Sequence, residues 1–303
     1  MRALGLDIGG SNVKFAHVDG SQVVETYQVP SGGDIGAALG QLRDRAAGFD
    51  AIGIGLAGLV LWPEGRFVWG PHLSGDTAPL REPLAAELGV PVAVDNDANM
   101  AAVAELRNGG ARGVDSALIL TIGTGIGAAI VAGGELYRGR SFAGEIGHVR
   151  ATEGGSACKC GRSGCWETLV SGRLLDEAAR RLASADPGGG VDSAAAGSPA
   201  RALHLVAAAD SGDGAARDAL SALGTQLGRL IADQVAALDP QIVVVGGAVS
   251  GAGPWFFEAV DRSVSTNLQA AAYREPVDIR LSPFGTYSGA VGAALAALEA
   301  ADD

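Results

Sequence analysis

Short apolar runs alternate with longer amphipathic stretches along most of the chain. The apolar runs are bounded by glycine or polar residues and predict strands at 3–7, 13–18, 51–56, 91–94 and 241–245. Apolar positions at helical spacing predict helices at 35–47, 79–88, 99–106, 201–210, 214–238 and 288–300. This alternation of strands and helices indicates an α/β sheet protein rather than a helical bundle or a β-sandwich.

One strand–turn–strand pattern occurs twice in the chain, 114 residues apart. Residues 4–20 and 118–134 share a strand, a glycine turn, a second strand and a final glycine. Few residues are identical between the two segments, so the shared layout carries the argument. It predicts two related halves, each presenting one backbone turn, with the second half beginning near Gly113.

Two further segments of unusual composition need an interpretation. Residues 184–200 are of low complexity and predict a flexible surface excursion. Residues 116–134 are long and uncharged enough for a membrane helix, but glycines at 123, 125 and 127 favour strand–turn–strand. Because Asp7 also interrupts any apolar signal region, we expect a soluble, cytoplasmic protein with no membrane partner.

Composition excludes several classes of function. The chain has 303 residues, of which 48% are hydrophobic and 18% charged, which is enough apolar material for a real core and argues against general disorder. The formal net charge of −12 argues against nucleic acid as a partner. Three cysteines cannot form a disulfide framework.

All three cysteines lie close to one histidine in the sequence. The ligand candidates are His148, Cys158, Cys160 and Cys165. Three thiolates and an imidazole form a closed tetrahedral set, which is typical of structural Zn²⁺ and leaves no open position for catalysis. Reduced thiols clustered by chance are the alternative, whereas a redox pair is disfavoured because CxxC spacing is absent.

Three glycine turns could bind phosphate. The first contains Asp7, Gly9, Gly10 and Ser11; the second contains Thr124 and Gly125; the third is Gly246 and Gly247 after an apolar strand. Glycine lets backbone N–H groups approach phosphate oxygens, and an acidic residue such as Asp7 could hold Mg²⁺ through water. Each turn alone could equally be an ordinary hairpin or βα turn, and the first two match neither the P-loop nor the dinucleotide fingerprint. Lys14 could point at phosphate or into solvent.

Carboxylates follow a strand and flank the metal candidates. Asp97 and its neighbour Asn96 follow the strand at 91–94, where Asp97 could accept a hydroxyl proton. Alternatively, Asp97 or Asn99 could cap the following helix. Glu145 and Glu167 could support the metal or hold the hydroxyl groups of a polyol. His17, His72 and His204 are interpreted as ordinary strand, loop and helix residues.

Together these motifs resemble the ROK family over essentially the whole chain. The matching segments are DIGGS (7–11), GLAGLV (55–60), VDNDANMAAVAE (94–105), TIGTGIG (121–127), GEIGH (144–148), CKCGRSGCWE (158–167) and VVGGAVS (244–250). The resemblance implies a duplicated actin/hexokinase/Hsp70-type (ribonuclease H-like) α/β fold, with an active-site cleft between two domains. It also implies an ATP-dependent sugar kinase that forms a homodimer or homotetramer.

Residue by residue, the resemblance implies a complete site. Asp97 would be the general base; Asn96, Glu145, His148 and Glu167 would hold the sugar; and His148 with the three cysteines would hold structural zinc. The first two turns would bind the phosphates of ATP with Mg²⁺, and Gly246 and Gly247 would lie near the nucleotide. We assign residues 1–113 and 289–303 to a smaller domain and 114–288 to a larger one that carries the zinc loop.

Three departures from the family pattern leave alternatives open. Ser11-Asn12 replaces the commoner Thr-Lys, and its spacing to Lys14 resembles polyphosphate-using glucokinases. His72 replaces a commoner Asn, and Ala248 replaces a third glycine. Glucose is the expected substrate, with N-acetylmannosamine, N-acetylglucosamine, fructose and allose as alternatives. A non-catalytic, sugar-binding regulator is the alternative of another class; because the first strand begins near residue 3, we expect no DNA-binding segment ahead of it.

Overall fold

The computed structural model describes residues 1–302, and its first part is built around one mixed sheet. The strands are β1 (Arg2–Ile8), β2 (Asn12–Asp19), β3 (Gln22–Pro30), β4 (Ala51–Leu56), β5 (Leu59–Leu61), β6 (Arg66–Trp69) and β7 (Val92–Asn96). The helices are α1 (Ile35–Arg43), α2 (Arg81–Leu88) and α3 (Asp97–Asn108). Strands β5 and β6 form a separate hairpin.

A second mixed sheet follows in the chain. Its strands are β8 (Ser116–Ile122), β9 (Ile126–Ala132), β10 (Glu135–Tyr137), β11 (Ile242–Gly246) and β12 (Asp278–Leu281). The helices are α4 (Gly172–Ala185), α5 (Gly190–Ala195), α6 (Ala202–Asp210), α7 (Gly214–Leu238), α8 (Pro254–Asn267) and α9 (Ser288–Asp302). Short 3₁₀ turns at Ile146–His148 and Trp166–Thr168 carry part of the predicted site.

The two sheets have the same topology. Their strand orders are β3-β2-β1-β4-β7 and β10-β9-β8-β11-β12, so each strand of the first sheet has a counterpart in the second. In both sheets an antiparallel hairpin is followed by parallel neighbours. The β1–β2 and β8–β9 hairpins are the two segments that align in the sequence, so the predicted internal duplication is confirmed.

Helix α9, the last element of the chain, returns to pack on the first sheet, and helix α3 lies between the two sheets. Glycines in the strands allow α9 to lie directly on the first sheet: a Cβ at Gly53 would lie 1.8 Å from the carbonyl oxygen of Ala293. Helix α3 packs against α9 on one side and approaches β9 on the other, where a Cβ at Gly127 would lie 3.1 Å from the Cβ of Ala98. The helix that begins at Asp97 is therefore held between the two sheets.

Separate apolar clusters support the two sheets. One consists of β1, β4 and β7 side chains with α1 and α2, and the largest consists of β8 and β11 side chains with α4 to α8. Within residues 1–302, no helix combines the length and the apolar character that crossing a membrane requires. The division into domains at 113/114 and 288/289 stays a prediction.

Several sequence-based boundaries need correction. The prediction of a flexible excursion at 184–200 is wrong for α5, because Val191 and Ala195 lie one helical turn apart and are both buried in the second core. The helix predicted at 35–47 ends at Arg43, and the one predicted at 99–106 begins at Asp97. Helices α4 and α8 and edge strands β3 and β12 were not predicted.

Candidate active site

Polar residues collect where the parallel strands of both sheets end. Strands β1, β4 and β7 run parallel to one another, so the turn after β1 and the residues at the end of β7 lie at one edge of the first sheet. Strands β8 and β11 are also parallel, which places the second and third glycine turns at the corresponding edge of the second sheet. Ligands of open α/β sheets bind outside the carboxyl ends of the parallel strands, which is where these turns lie.

The first turn is tight and is covered by a loop of the same half. The N–H of Gly9 donates to the carbonyl of Asn12 at 3.0 Å, which closes the turn. A Cβ at Gly10 would lie 2.5 Å from the Cβ of His72, so only glycine allows the 71–73 loop to pack here. Ser11 is exposed at the tip, as a phosphate donor would need to be.

Behind this turn, Asp7 and Lys14 face each other across the hairpin. They are register partners in β1 and β2, and Nζ of Lys14 lies 2.8 Å from Oδ2 of Asp7. Burial lowers the pKa of Lys14, but Asp7, with smaller contributions from Asp97 and Tyr287, raises it, and the net pKa is raised. Lys14 is therefore a charged residue of the site, and its side chain points inward rather than into solvent.

The second turn is held by Glu167. Oε2 of Glu167 accepts a hydrogen bond from the N–H of Ile126 at 3.1 Å, and a Cβ at Gly125 would lie 2.0 Å from the same oxygen. A larger residue at position 125 would therefore displace the Glu167 carboxylate, and the phosphate role predicted for Gly125 with Thr124 stays a prediction. The N–H of Gly172, at the start of α4, donates to the carbonyl of Gly123 at 2.7 Å.

The third turn lies against the second. Gly247 has a φ of +81°, and a Cβ there would lie 2.6 Å from the carbonyl oxygen of Ile122. Gly246 ends β11 and packs on Ser282. Because the β8 and β11 ends meet in this way, the residues predicted to contact phosphate and nucleotide in the second half do lie together.

Asn96, rather than Asp97 or Asn99, caps helix α3. Its side-chain oxygen accepts hydrogen bonds from the N–H groups of Ala98 at 2.8 Å and Asn99 at 3.1 Å. Its amide nitrogen donates to the carbonyl of Gly58 and to Oδ1 of Asp97, both at 3.0 Å. The alternative that Asp97 or Asn99 is the helix cap is therefore wrong, although Oδ1 of Asp97 also accepts from Ala98.

Asp97 has an unusual electrostatic environment. Burial and the nearby carboxylate of Asp7 raise its pKa to about 7, and Glu145 adds to the effect. Lys14 and the N–H of Ala98 act in the opposite direction. A carboxyl group that exchanges its proton near neutrality is suited to accept a proton from a hydroxyl group.

A buried ion pair behind Asp97 was not predicted from the sequence. Asp95 is 2% exposed, and its Oδ2 accepts a hydrogen bond from Nε of Arg138 at 2.7 Å. Asp95 was visible only as one of several polar residues at the strand end, and no local pattern marks Arg138. The pair joins residues 43 positions apart, which only the fold brings together.

Glu145, His148 and Glu167 converge on the opposite side of the site. Oε2 of Glu145 lies 3.9 Å from Nε2 of His148. Burial raises the pKa of Glu145, His148 lowers it and Glu167 raises it, so the net pKa is raised. A Cβ at Gly147 would lie 2.4 Å from the carbonyl oxygen of Ile126, which explains the glycine before His148.

The predicted zinc ligands form one compact cluster. The ligand atoms of His148, Cys158, Cys160 and Cys165 all lie within 4.8 Å of one another. Two separations are 3.6 Å, from Cys158 Sγ to His148 Nδ1, and 3.7 Å, from Cys160 Sγ to Cys165 Sγ. Tetrahedral zinc with bonds of about 2.3 Å to sulfur and about 2.0 Å to nitrogen requires separations of roughly 3.6–3.8 Å.

The charge of the cluster also fits a cation. Burial raises the pKa of Cys158 to about 12 and also raises that of Cys165. Burial also acts to raise the pKa of Cys160, but hydrogen bonds from Arg162 and the other two thiols outweigh it, and the pKa of Cys160 is lowered. A bound cation would favour the thiolate form of all three. Nδ1 of His148 faces the thiols while Nε2 faces Glu145. A zinc ion here would fix the ring and leave Nε2 directed toward the candidate sugar residues.

The zinc loop, residues 148–165, also contacts the first half of the chain. Nζ of Lys159 lies 3.3 Å from Nδ1 of His72, which covers the first turn. Burial and the charge of Lys159 lower the pKa of His72, so its ring is neutral at neutral pH and accepts this hydrogen bond. His72 lies in a loop, as interpreted from the sequence, and its contact with Lys159 joins the first turn to the segment 148–165.

Comparison with known proteins gives a consistent family. A family model described as the ROK family matches residues 3–300. The glucokinase of Streptomyces coelicolor is 32% identical over 308 residues, covering 96% of both proteins. The DNA-binding transcriptional repressor Mlc of Escherichia coli is 31% identical over 219 residues, covering 72% of this chain and 52% of the repressor.

A solved structure matches nearly the full length. A ROK family glucokinase from Streptomyces griseus, in complex with glucose and AMPPNP, has a TM-score of 0.90 and 32% sequence identity, covering 99% of this chain and 100% of that one. The duplicated α/β fold of the actin/hexokinase type, expected from the sequence, is thereby confirmed.

We expect about one zinc ion per chain, measured by elemental analysis after purification without added metal. Cys160→Ser should remove it and lower the melting temperature, because the loop between His148 and Cys165 loses its cross-link. A loss of ~3 kcal/mol would lower the melting temperature by roughly 6–12 °C. Ser163→Ala, in the same loop, is the control. The zinc assignment would be contradicted if the purified wild type contained no zinc and Cys160→Ser had the same melting curve as the wild type.

Proposed function

The chain belongs to the ROK family, and we propose that it is an ATP-dependent sugar kinase that converts glucose to glucose 6-phosphate. The observation that carries the proposal is Asp97, a carboxyl group whose pKa is raised to about 7 and which lies near enough to Asp7 of the first turn and to Glu145 for their charges to act on it. Similarity to the glucokinase solved with glucose and an ATP analogue supports it.

In this proposal Asp97 is the general base. It accepts the proton of the sugar 6-hydroxyl while that oxygen attacks the γ-phosphorus in line and ADP leaves. Asn96 holds Asp97 through the hydrogen bond to Oδ1 and orients the carboxyl group. The protein then contributes mainly by positioning the hydroxyl group and by electrostatic stabilisation of the transferred phosphoryl group.

The glycine turns would receive the phosphates. Gly10 and Ser11 from the first half and Thr124 and Gly125 from the second would donate hydrogen bonds, with the nucleotide extending toward Gly246 and Gly247. Gly9 would shape the first turn, because its N–H already donates to the carbonyl of Asn12. Mg²⁺, when bound with ATP, would offset phosphate charge. Asp7 would hold it through water with Oδ1, which accepts no hydrogen bond within the described residues 1–302, while Lys14 occupies Oδ2.

Glu145, His148 and Glu167 would hold the sugar hydroxyl groups, and the further role of Asn96 in holding the sugar stays a prediction. Zinc would act structurally here, because its four protein ligands leave no open position. By fixing Nδ1 of His148 it would keep Nε2 and Glu145 in place for the sugar. A homodimer or homotetramer and a cytoplasmic location stay predictions that rest on the family resemblance.

The expected substrates can be tested with a coupled assay of ADP release. We expect glucose with MgATP to give the highest kcat/KM in a panel with N-acetylmannosamine, N-acetylglucosamine, fructose and allose. Polyphosphate should replace ATP poorly. Activity confined to another sugar would correct the substrate, and binding of sugar with no phosphate transfer from either donor would favour the non-catalytic regulator.

The pH dependence of kcat/KM follows from the pKa of Asp97. Below pH about 7 the carboxyl group carries a proton and cannot act as base, so kcat/KM should fall roughly tenfold per pH unit. Lys14→Met removes a charge that lowers this pKa and should move the acidic limb to higher pH. Asp7→Asn should move it to lower pH.

Lys159→Met is the matched control, because Lys159 is the other lysine of the chain and is not among the groups that shift the pKa of Asp97. An acidic limb that stays in place in both the Lys14 and the Asp7 variants would contradict Asp97 as its source.

A further inference from the structure

We propose that Arg138 is a positioning residue that acts through Asp95 to fix Asp97 for phosphoryl transfer. This inference rests on the proposed kinase function and adds a residue to it. Arg138 touches neither turn nor any sugar-ligand candidate through a hydrogen bond in residues 1–302; its hydrogen bond is to Asp95, at 2.7 Å.

Asp95 is a buried carboxylate whose two oxygens are both hydrogen-bonded. This carboxylate is 2% exposed, one residue before Asn96 in β7. Its Oδ1 accepts hydrogen bonds from the N–H of Asn96 at 2.7 Å and from Nδ2 of Asn99 at 2.9 Å. Arg138 supplies the one cation in contact with it among the described residues, so the orientation of Asp95 depends on Arg138.

Hydrogen bonds through Asn96 connect Asp95 to Asp97. Asp95 holds the backbone of Asn96 and the side chain of Asn99, and Asn96 in turn caps α3 and donates to Oδ1 of Asp97 at 3.0 Å. These contacts form a continuous chain of short hydrogen bonds. A change in the orientation of Asp95 would therefore move the amide that holds the proposed base.

Arg138 belongs to the second half of the chain but contacts residues of the first half. It follows β10 of the second sheet, whereas Asp95 belongs to β7 of the first. Its guanidinium group lies 4.4 Å from the ring centroid of Trp62, at the end of β5, and Oγ of Ser141 accepts a hydrogen bond from the N–H of Trp62 at 3.2 Å. Arg138 is thus held by the first half from two sides.

Arg138 lies shortly before the proposed sugar ligands in the chain, so its contact with Asp95 bears on their position. The segment after it leads within seven residues to Glu145 and then to His148. The Arg138–Asp95 pair therefore joins the segment that carries the proposed sugar ligands to the strand that carries the proposed base. We infer that the pair sets the distance between the sugar hydroxyl group and the carboxyl group of Asp97.

The predicted effect is on kcat rather than on binding. Arg138→Gln removes no group that would contact sugar or ATP in the proposed function, so KM for sugar and for ATP should stay within ~3-fold of wild type. Because a displacement of about 1 Å can reduce turnover about 10²-fold, kcat should fall roughly 10–100-fold. Arg138→Lys keeps the charge but loses the fixed geometry of Nε, and should restore part of the rate.

A double-mutant cycle separates positioning through Asp95 from other effects of Arg138. Asp95→Asn alone should lower kcat, and the Arg138→Gln/Asp95→Asn double variant should be no slower than the slower single variant. Arg274→Gln is the matched control: Arg274 also belongs to the second half of the chain and forms an ion pair, with Asp239 at 2.7 Å, but that partner is exposed. Its kcat should equal that of wild type.

The outcomes distinguish this inference from the proposed function. Suppose that the wild type is active and Arg138→Gln is folded. If kcat of Arg138→Gln is then unchanged, or if the losses of the two single variants add fully in the double variant, the positioning role is overturned and the kinase proposal stands. If Arg138→Gln does not fold, Arg138→Lys decides: a kcat equal to wild type at an equal melting temperature overturns the role. A wild type that transfers no phosphate to any sugar refutes the proposed function, and the role of Arg138 falls with it.

Discussion

The arrangement of the site depends on keeping the Asp97 carboxyl group enclosed beside a second carboxylate. Removing such a group from water and placing it near Asp7 and Glu145 disfavours its charged form, which is why its pKa is raised to about 7. The surrounding structure offsets part of this cost. Lys14 pairs with Asp7 across the β1–β2 hairpin, and Asn96 caps the helix and donates to Asp97. A carboxyl group with a pKa of about 7 can gain or lose a proton near neutrality, which is what the proposed base requires.

The duplicated architecture explains why the chemistry lies on one side of the cleft. The two hairpins have the same topology, but where Asp7 pairs with Lys14 across the first hairpin, Thr121 pairs with Gly127 across the second. The second copy therefore has a turn without the buried ion pair. In its place the carboxylate of Glu167 accepts a hydrogen bond from the turn, and the segment 148–165 carries the compact His/Cys cluster. In the proposed function, the first half would supply the base with its neighbouring charges, and the second half would supply the sugar ligands beside the zinc site.

Local sequence patterns predicted the features that are themselves local. The glycine turns with their flanking strands gave the two hairpins, and the spacing of His148 and the cysteines gave the compact ligand cluster. Contacts between distant segments could not be predicted in this way. Neither the Arg138–Asp95 pair nor the His72–Lys159 contact has a local signature. Edge strands β3 and β12 are largely exposed, so their apolar signal is weak, and α5 has the alanine and glycine content of a linker although it packs into the core.

The central claim is that Asp97 accepts a proton from a sugar bound in this cleft. Its most direct test measures glucose-dependent ADP formation and glucose binding by calorimetry, for the wild type and for Asp97→Asn. Asparagine keeps the size of the side chain but cannot accept the proton, so turnover should fall by about 10²–10⁴-fold or more while glucose affinity stays largely intact. A folded Asp97→Asn variant that retains a rate near that of the wild type would contradict the account.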